Sequence, residues 1–181
     1  MLANKFHSTT IIGIRLNGKA SIGGDGQVSL GDAIFKATAK KVRKLDQFEV
    51  LVGFAGSAAD GLTLLERFEE KLKEFSGNVP RAVVELAKDW RTDRYLRRLE
   101  AMLVVLSKDN GFVVSGTGDI IEPDDGICAI GSGGNFALAA ARAILLSKNP
   151  PKEPSEVVQK SLEIASEICV FTNKNITVIS L

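Results

Sequence analysis

An Asn-Gly pair, Asn17-Gly18, is the feature of this 181-residue sequence that most constrains its fold. It separates two strand-like runs, TTIIGIRL at residues 9–16 and KASIGGD at residues 19–25. Asn-Gly readily adopts the positive φ angles of a two-residue hairpin turn, which joins antiparallel strands. The sequence therefore predicts a β-hairpin over residues 9–25 and an antiparallel sheet built on it.

Further strand-like runs occur in two blocks later in the chain and at its C-terminus. They lie at residues 42–46, 49–55, 101–107, 111–116, 119–121 and 126–130, and the last is NITVISL at the C-terminus. Because short polar turns join several of these runs, neighbouring strands are expected to pair in the antiparallel direction.

Two helices are predicted between these blocks. The first begins after Ser57, which is expected to cap it together with Asp60 in a short capping box, and its apolar residues recur at spacings of three and four. The second begins near Pro80, because proline is tolerated in the first turn of a helix, and it is expected to reach about Leu99.

A second pair of helices is predicted toward the C-terminus. One follows GSGGN at residues 131–135, and the other is capped by Ser155 and reaches about Ile168. Hairpin-joined strands with separate pairs of helices indicate an α+β fold, in which helices cover the outer faces of antiparallel sheets.

Composition and charge exclude several classes of function. The net charge of +1 gives no electrostatic support for nucleic-acid binding. No run approaches the roughly 20 apolar residues of a membrane span, and the N-terminus lacks the apolar core of a signal peptide. Cys128 and Cys169 lie in apolar stretches without metal-ligand spacing, so we expect buried free thiols. These features predict a soluble cytoplasmic protein.

The only histidine, His7, lies in a leading segment, residues 1–8, that has no hydrophobic periodicity. Catalysis by Ser-His-Asp or Cys-His groups is therefore excluded from the rest of the chain. A hydrolase can instead use an N-terminal threonine, which carries a nucleophilic hydroxyl and a basic amine on one residue. Thr9 could do so only after cleavage between Ser8 and Thr9. On the residues alone, Thr9 and Thr10 can equally be ordinary strand formers.

Two glycine-rich turns are candidates for nucleotide binding. They are SIGGDGQ at residues 21–27 and GSGGN at residues 131–135, and the second lies between a strand and a helix, the setting of a phosphate site. Neither matches the full dinucleotide fingerprint, and turns or close packing also explain these glycines. A nucleotide-binding protein that uses GSGGN therefore remains an alternative.

Several segments, in series, carry a resemblance to one protein family. They are TTI, IGGDGQVSLG, AKKVRKL, VLVGFAGSAAD, AVVELAKDWRTDR, LRRLEAMLVV, ICAIGSGGNFALAAARA and EICVFTN. In these segments the chain resembles the HslV (ClpQ) family, the proteasome-like peptidases of the HslUV ATP-dependent protease. The resemblance implies the N-terminal nucleophile hydrolase fold, a four-layer α/β/β/α sandwich of two antiparallel sheets.

The resemblance also implies a set of catalytic residues. Thr9 corresponds to the nucleophile, Lys41 to the family's lysine and Asp25 to its acidic partner. Ser132 corresponds to the serine beside the amine, and Gly53 to the residue whose backbone N–H stabilises the oxyanion. A lysine charge near Thr9 would lower the pKa of its hydroxyl and amine, and Asp25 would orient Lys41 and keep it charged.

The resemblance further implies a sodium ion and a large assembly. Main-chain oxygens of Ser166, Cys169 and Thr172 would bind the ion, and their spacing suits carbonyls at a helix C-terminus. The family more often has glycine at the position of Ser166. The assembly would be a homo-dodecamer of two stacked hexameric rings, capped by the hexameric AAA+ ATPase HslU (ClpY), which would hydrolyse the ATP.

From these observations we expect a threonine endopeptidase subunit that degrades unfolded polypeptides. Residues 1–8 would be a leader, longer than is common in the family and removed before catalysis, and residues 9–181 a single peptidase domain. A non-catalytic assembly subunit of the same fold, with its leader retained, is a second alternative.

Overall fold

A computed structural model describes residues 6–7, 9–99 and 101–181, so most of the predicted leader, residues 1–5 and 8, lies outside the described residues. The strands are β1 (Phe6–His7), β2 (Thr10–Leu16), β3 (Lys19–Gly24), β4 (Val28–Leu30), β5 (Ala33–Lys36), β6 (Val42–Leu45), β7 (Val50–Gly56), β8 (Ala101–Leu106), β9 (Gly111–Val114), β10 (Ile120–Ile121), β11 (Ile127–Gly131) and β12 (Thr177–Ser180). The helices are α1 (Ala58–Glu74), α2 (Val79–Thr92), α3 (Gly134–Leu145) and α4 (Pro154–Ile168).

The strands form two large sheets and one small sheet, and the pairings described are antiparallel. The strand orders are β11-β2-β3-β12, β10-β9-β8-β7-β6 and β1-β4-β5. The predicted hairpin is confirmed, because β2 pairs with β3 as far as Leu16 and Lys19. Between them, Asn17 and Gly18 have φ angles of 53° and 74°, as a tight hairpin turn requires.

Three apolar cores separate four layers. Helices α1 and α2 pack on the five-stranded sheet around Phe68 and Trp90. Helices α3 and α4 pack on the four-stranded sheet around Leu162. The two sheets pack on each other through side chains that include Ile22 and Leu106. The α/β/β/α sandwich expected from the resemblance is therefore confirmed.

Strand β2 shows how the sequence produces this layering. Ile12 and Ile14 belong to the core under α3 and α4, whereas Ile11 belongs to the core between the sheets, and all three are fully buried. Gly13 allows the sheets to approach, because a Cβ on it would lie 2.2 Å from Cδ1 of Leu106. A strand covered on both faces has a continuous apolar sequence, which is what TIIGI is.

Helix α2 ends earlier than the sequence predicted, at Thr92 rather than near Leu99. At Asp93 the backbone becomes extended, and its carboxylate accepts hydrogen bonds from the N–H groups of Tyr95 and Leu96. An aspartate that bonds nearby backbone N–H groups competes with the helix in this way.

Two predicted caps also differ from the structure. Ser57 precedes α1, but its side chain makes no capping hydrogen bond. Helix α4 begins at Pro154, so Ser155 lies inside the helix instead of capping it. Proline has no N–H to satisfy and its φ suits the first helical turn, which explains the earlier start.

Strands β4 and β5 were not predicted, and they are too short to show an alternating pattern. Two residues of the predicted leader extend their sheet, since Phe6 pairs with Leu30 and His7 with Ser29. The segment expected to lack any pattern therefore contributes a strand at these two positions.

Two expectations from composition can be compared with the structure. Cys128 and Cys169 are buried free thiols, and burial raises the pKa of the Cys128 thiol to about 12. Within the ranges that the structure describes, no helix is both long enough and apolar enough to cross a membrane.

Candidate active site

Thr9 lies immediately before β2 and has an unusual backbone conformation. Its φ is 130°, a value that β-branched residues rarely adopt, and the residue is only 2% exposed. Its carbonyl accepts a hydrogen bond of 2.9 Å from the N–H of Ser132, and Gly131, at φ 89°, passes so close that a Cβ there would lie 1.9 Å from the same oxygen. The end of β11 and the turn after it thus hold the backbone of Thr9.

Lys41 and Asp25 form a buried ion pair behind Thr9. The Lys41 Nζ lies 3.1 Å from Oδ1 of Asp25, and the two side chains are 4% and 0% exposed. The ammonium also donates a hydrogen bond to the carbonyl of Gln27. Asp25 holds β2 as well, because Oδ1 accepts the N–H of Thr10 at 2.8 Å.

Burial lowers the pKa of Lys41 below its ordinary value, because an ammonium loses hydration inside the protein. The negative charge of Asp25 and its hydrogen bond to Lys41 act in the opposite direction. Asp25 therefore favours the charged form of Lys41, as the sequence analysis expected, against a larger effect of burial.

A pocket of about 410 Å³ opens beside Thr9 and Lys41. Its lining residues come from β4, β5, β6, β7, the segment before β6 and the start of α1, and they are Thr9, Val28, Lys36, Ala39, Lys40, Lys41, Arg43, Phe54, Gly56, Ser57, Ala59 and Leu62. The structure therefore brings Thr9, a buried ammonium and a cleft to one place. This arrangement suits a nucleophile that attacks a bound substrate.

The other two predicted catalytic residues lie close by. Ser132 is exposed in the turn between β11 and α3, and its N–H bonds Thr9. Gly53 lies in β7, next to Phe54 of the pocket. A Cβ on Gly53 would lie 2.7 Å from Cγ2 of Ile11, so packing between the sheets also favours glycine there. Its role at an oxyanion remains a prediction.

The turn GSGGN is occupied by contacts within the site. The N–H of Ser132 bonds the carbonyl of Thr9, and the N–H of Gly133 donates to Oγ1 of Thr10 at 2.9 Å. Two N–H groups that a phosphate would need are therefore already used. This observation argues against the nucleotide-binding alternative.

Several supporting contacts were not predicted from the sequence, although Thr172 was expected as a sodium ligand. Oγ1 of Thr10 lies 2.7 Å from Oγ1 of Thr172, which joins β2 to the segment after α4. The N–H of Asn173 donates to Oδ2 of Asp25 at 3.3 Å, and the Asn173 side chain accepts from Gly26 and donates to Ala37. A signal was present, because TTI and EICVFTN both belong to the segments that carry the resemblance.

The predicted sodium ligands surround the C-terminal end of α4. Within the described part of the chain, the carbonyls of Ser166 and Thr172 accept no hydrogen bond, and that of Cys169 accepts one from the N–H of Thr172. Unpaired carbonyls at a helix C-terminus carry partial negative charge. The chemistry of these donors therefore fits a hard cation, which prefers oxygen ligands.

Comparison with known proteins agrees with this geometry. Residues 5–181 match the family model described as "Proteasome subunit". The chain is also similar to the crystal structure of eukaryotic HslV from Trypanosoma brucei, with 44% sequence identity over 95% of this chain and 98% of that one, and a TM-score of 0.89. The chain belongs to the proteasome subunit family, in which it is an HslV-like threonine peptidase subunit.

Proposed function

We propose that this chain is a threonine endopeptidase whose nucleophile, the hydroxyl of Thr9, becomes active when the Ser8–Thr9 bond is cleaved. The observation that carries the proposal is the position of Thr9, which lines a cleft together with the buried Lys41. Because the rest of the described chain has no histidine, the base must come from elsewhere, and a free α-amine on Thr9 is positioned on the same residue as the nucleophile.

The backbone of Thr9 supports cleavage at this bond. A φ of 130° on a β-branched residue costs on the order of 1–3 kcal/mol, and cleavage removes the peptide group that defines this angle. In the proposed step, Oγ1 of Thr9 attacks the carbonyl carbon of Ser8, and the C–N bond breaks as the hydroxyl proton passes to the departing nitrogen. This leaves an ester on Thr9 and frees its amine. Water then hydrolyses the ester and releases the leader.

The peptidase reaction follows the same pattern with a substrate. Oγ1 of Thr9 attacks the scissile carbonyl while the α-amine accepts its proton, directly or through water. The intermediate collapses as the departing amine takes that proton, and an acyl ester remains. Water, deprotonated by the α-amine, attacks the ester and regenerates Thr9.

The neighbouring groups have separate roles in this proposal. Lys41, as a fixed positive charge, lowers the pKa of the hydroxyl and of the amine of Thr9, and Asp25 keeps Lys41 charged. The N–H of Gly53 donates to the oxyanion, a type of contact typically worth about 3–4 kcal/mol of barrier. Ser132 assists proton transfer beside the amine.

The wider setting is part of the proposal, and the resemblance to HslV supports it. We propose that the chain assembles as two stacked hexameric rings and degrades unfolded polypeptides delivered by the ATPase HslU in the cytoplasm. Carbonyls of Ser166, Cys169 and Thr172 would hold Na⁺, whose positive charge would fix the end of α4. The residues after this end contact Thr10 and Asp25, so an ion bound there would support the site.

Mass spectrometry of the purified chain, combined with peptide hydrolysis by wild type and Thr9→Ala, tests the proposal. We expect a wild-type chain that begins at Thr9, and a Thr9→Ala chain that retains its leader and is inactive. Hydrolysis retained in Thr9→Ala would exclude the mechanism. A folded wild type that keeps its leader and is not labelled at Thr9 by a threonine-directed inhibitor would instead indicate the non-catalytic assembly subunit.

A further inference from the structure

Gln27 is a buried polar residue that the proposed mechanism does not use. It lies between Asp25 and strand β4, and it is 3% exposed. Its backbone contacts both members of the ion pair behind Thr9, because the N–H donates to Oδ2 of Asp25 at 2.9 Å and the carbonyl accepts a hydrogen bond from the Lys41 ammonium. The backbone position of Gln27 therefore helps to fix where the charge of Lys41 lies.

The side-chain amide of Gln27 is held from two directions. Its Nε2 donates to Oγ of Ser29 in β4 at 2.9 Å, and to the carbonyl of Val170, two residues beyond the end of α4, at 2.9 Å. A carbonyl oxygen only accepts hydrogen bonds, so the nitrogen end of the amide faces Val170, and both of its N–H donors are used. The amide thus ties the backbone of Gln27 to β4 and to the segment after α4.

We propose that Gln27 is a positioning residue, whose side-chain amide holds in place the backbone carbonyl that binds the Lys41 ammonium. The inference rests on the proposed peptidase function. Gln27 does not line the pocket beside Thr9, so its side chain acts through Lys41 and not on the substrate. A hydrogen bond to the ammonium favours the charged form of Lys41, so displacing the carbonyl lowers the pKa of Lys41 and weakens the positive charge beside Thr9.

Other charged groups surround Lys41, and they stay in place when the side chain of Gln27 is changed. Asp25 lies 3.1 Å from the ammonium, and cleavage would free an α-amine on Thr9. Three further cations line the same pocket as Lys41, namely Lys36, Lys40 and Arg43. A change in the titration of Lys41 in a Gln27 variant therefore reports on the position of the Gln27 backbone.

Gln27→Met tests this role, because methionine has a similar length but no N–H donor in its side chain. The processed protein is assayed for peptide hydrolysis with the proposed ATPase partner and ATP, and kcat is expressed per chain that begins at Thr9, counted by intact mass. We expect kcat to fall about ten-fold or more while KM changes less than about two-fold, because small displacements of reacting groups are costly. The alkaline limit of kcat should move to lower pH, since activity that needs charged Lys41 is lost as pH rises through the pKa of Lys41.

Gln159→Met is the matched control for this variant. It makes the same chemical change in α4, where it removes a surface hydrogen bond from Nε2 of Gln159 to Oε1 of Glu163. Its kcat should stay within about two-fold of wild type, and its alkaline limit should not move. If Gln27→Met does not fold, Ser29→Ala removes one of the two acceptors of the amide and should move the limit in the same direction by a smaller amount.

The alkaline limit decides between a positioning role and simple packing. A limit in Gln27→Met, or in Ser29→Ala where that variant replaces it, equal to that of Gln159→Met would overturn the positioning role whether or not kcat falls, and would leave the peptidase function intact. If processed wild type does not cleave the peptide, or if Thr9→Ala does, the proposed function itself fails and the positioning role fails with it.

Discussion

Asp25 connects the reacting end of the site to its support. One carboxylate oxygen accepts hydrogen bonds from Lys41 and from the N–H of Thr10, and the other accepts the N–H groups of Gln27 and Asn173. Removing one partner of a buried ion pair typically costs about 3–5 kcal/mol, because a buried charge is left uncompensated. The carboxylate therefore supports both the position and the charge of Lys41.

Asp25→Asn is expected to lower kcat/KM and to move its alkaline limit to lower pH. Burial lowers the pKa of Lys41, whereas the charge of Asp25 raises it, so removing that charge lowers the pKa further. If the reaction needs charged Lys41, activity is lost as pH rises through this pKa, and the loss begins earlier in the variant. A pH profile of peptide hydrolysis by processed protein measures the shift.

The matched control is Asp109→Asn, which removes a carboxylate from the exposed turn between β8 and β9. Its alkaline limit should equal that of wild type. An Asp25→Asn profile with the same limit as the control would show that Asp25 does not set the charge of Lys41.

At the scale of single elements, the sequence predicts best where local residues decide the structure. Asn17-Gly18 specifies its hairpin without help from the rest of the chain. The end of α2 was misplaced because the carboxylate of Asp93, which accepts the N–H groups of Tyr95 and Leu96, stops the helix. Strands β4 and β5 could not be predicted, since pairing with each other and with β1 stabilises segments too short for a pattern.

The candidate site could be predicted less well than the secondary structure from local sequence patterns. Lys41 and Asp25 are 16 residues apart, and they meet only because the chain folds β3 and β6 toward each other. Periodicity and spacing give no reason to pair them, so their assignment came from the resemblance. Asn173, 148 residues from Asp25, was missed because local spacing cannot indicate a role at a distant carboxylate, although its segment EICVFTN carries the resemblance.

The segment after α4 is expected to position Asp25, and Asn173→Ala tests this role. The change removes the side-chain oxygen that accepts the N–H of Gly26, next to Asp25, and the side-chain amide that donates to the carbonyl of Ala37. We expect kcat to fall about ten-fold or more, because small displacements of reacting groups are costly, while KM changes little. Peptide kinetics on processed protein measure the two constants separately.

Asn175→Ala provides a close comparison for this variant. The Asn175 side chain also donates to the carbonyl of Ala37, at 2.8 Å, but has no described contact with Asp25 or Gly26. Its kcat should stay within about two-fold of wild type, as expected for a loss at an exposed position. Equal losses in both variants would indicate a general effect on this loop.

The end of α4 is also expected to respond to sodium. If carbonyls of Ser166, Cys169 and Thr172 bind Na⁺, the folded protein is stabilised by mass action as sodium is added. Thermal unfolding in sodium chloride should then give a higher Tm than in choline chloride at equal ionic strength, and activity should fall in choline. The same Tm in both salts would argue against the ion, because general screening is matched.

For the whole molecule, the order of strands and helices predicts an α+β fold but not the number of layers. Strands such as β2 and β8 are buried on both faces, and a continuous apolar run does not say what covers each face. The stacking of one sheet on the other came from the family resemblance. In the structure it depends on complementary residue sizes across the interface, which no single segment reveals.

Gly13 and Leu106 are such a complementary pair, and a double-mutant cycle measures their coupling. Gly13→Ala should destabilise the protein by about 1–3 kcal/mol, because its Cβ would lie 2.2 Å from Cδ1 of Leu106. Leu106→Ala should cost about 2–5 kcal/mol through the cavity that it leaves in the core between the sheets.

In the double variant the new methyl group at position 13 enters the space vacated at position 106, so the two costs should not add. We expect the double variant to be at least about 1 kcal/mol more stable than the sum of the single effects predicts. Free energies of unfolding from denaturant titration complete the cycle. Leu162→Ala is the control, because Leu162 belongs to the core under α3 and α4 and not to the core between the sheets, and its cost should add to that of Gly13→Ala. Additive costs in the first cycle would mean that the two sheets adjust their separation freely. Coupled costs would mean that Gly13 sets the distance between the two sheets.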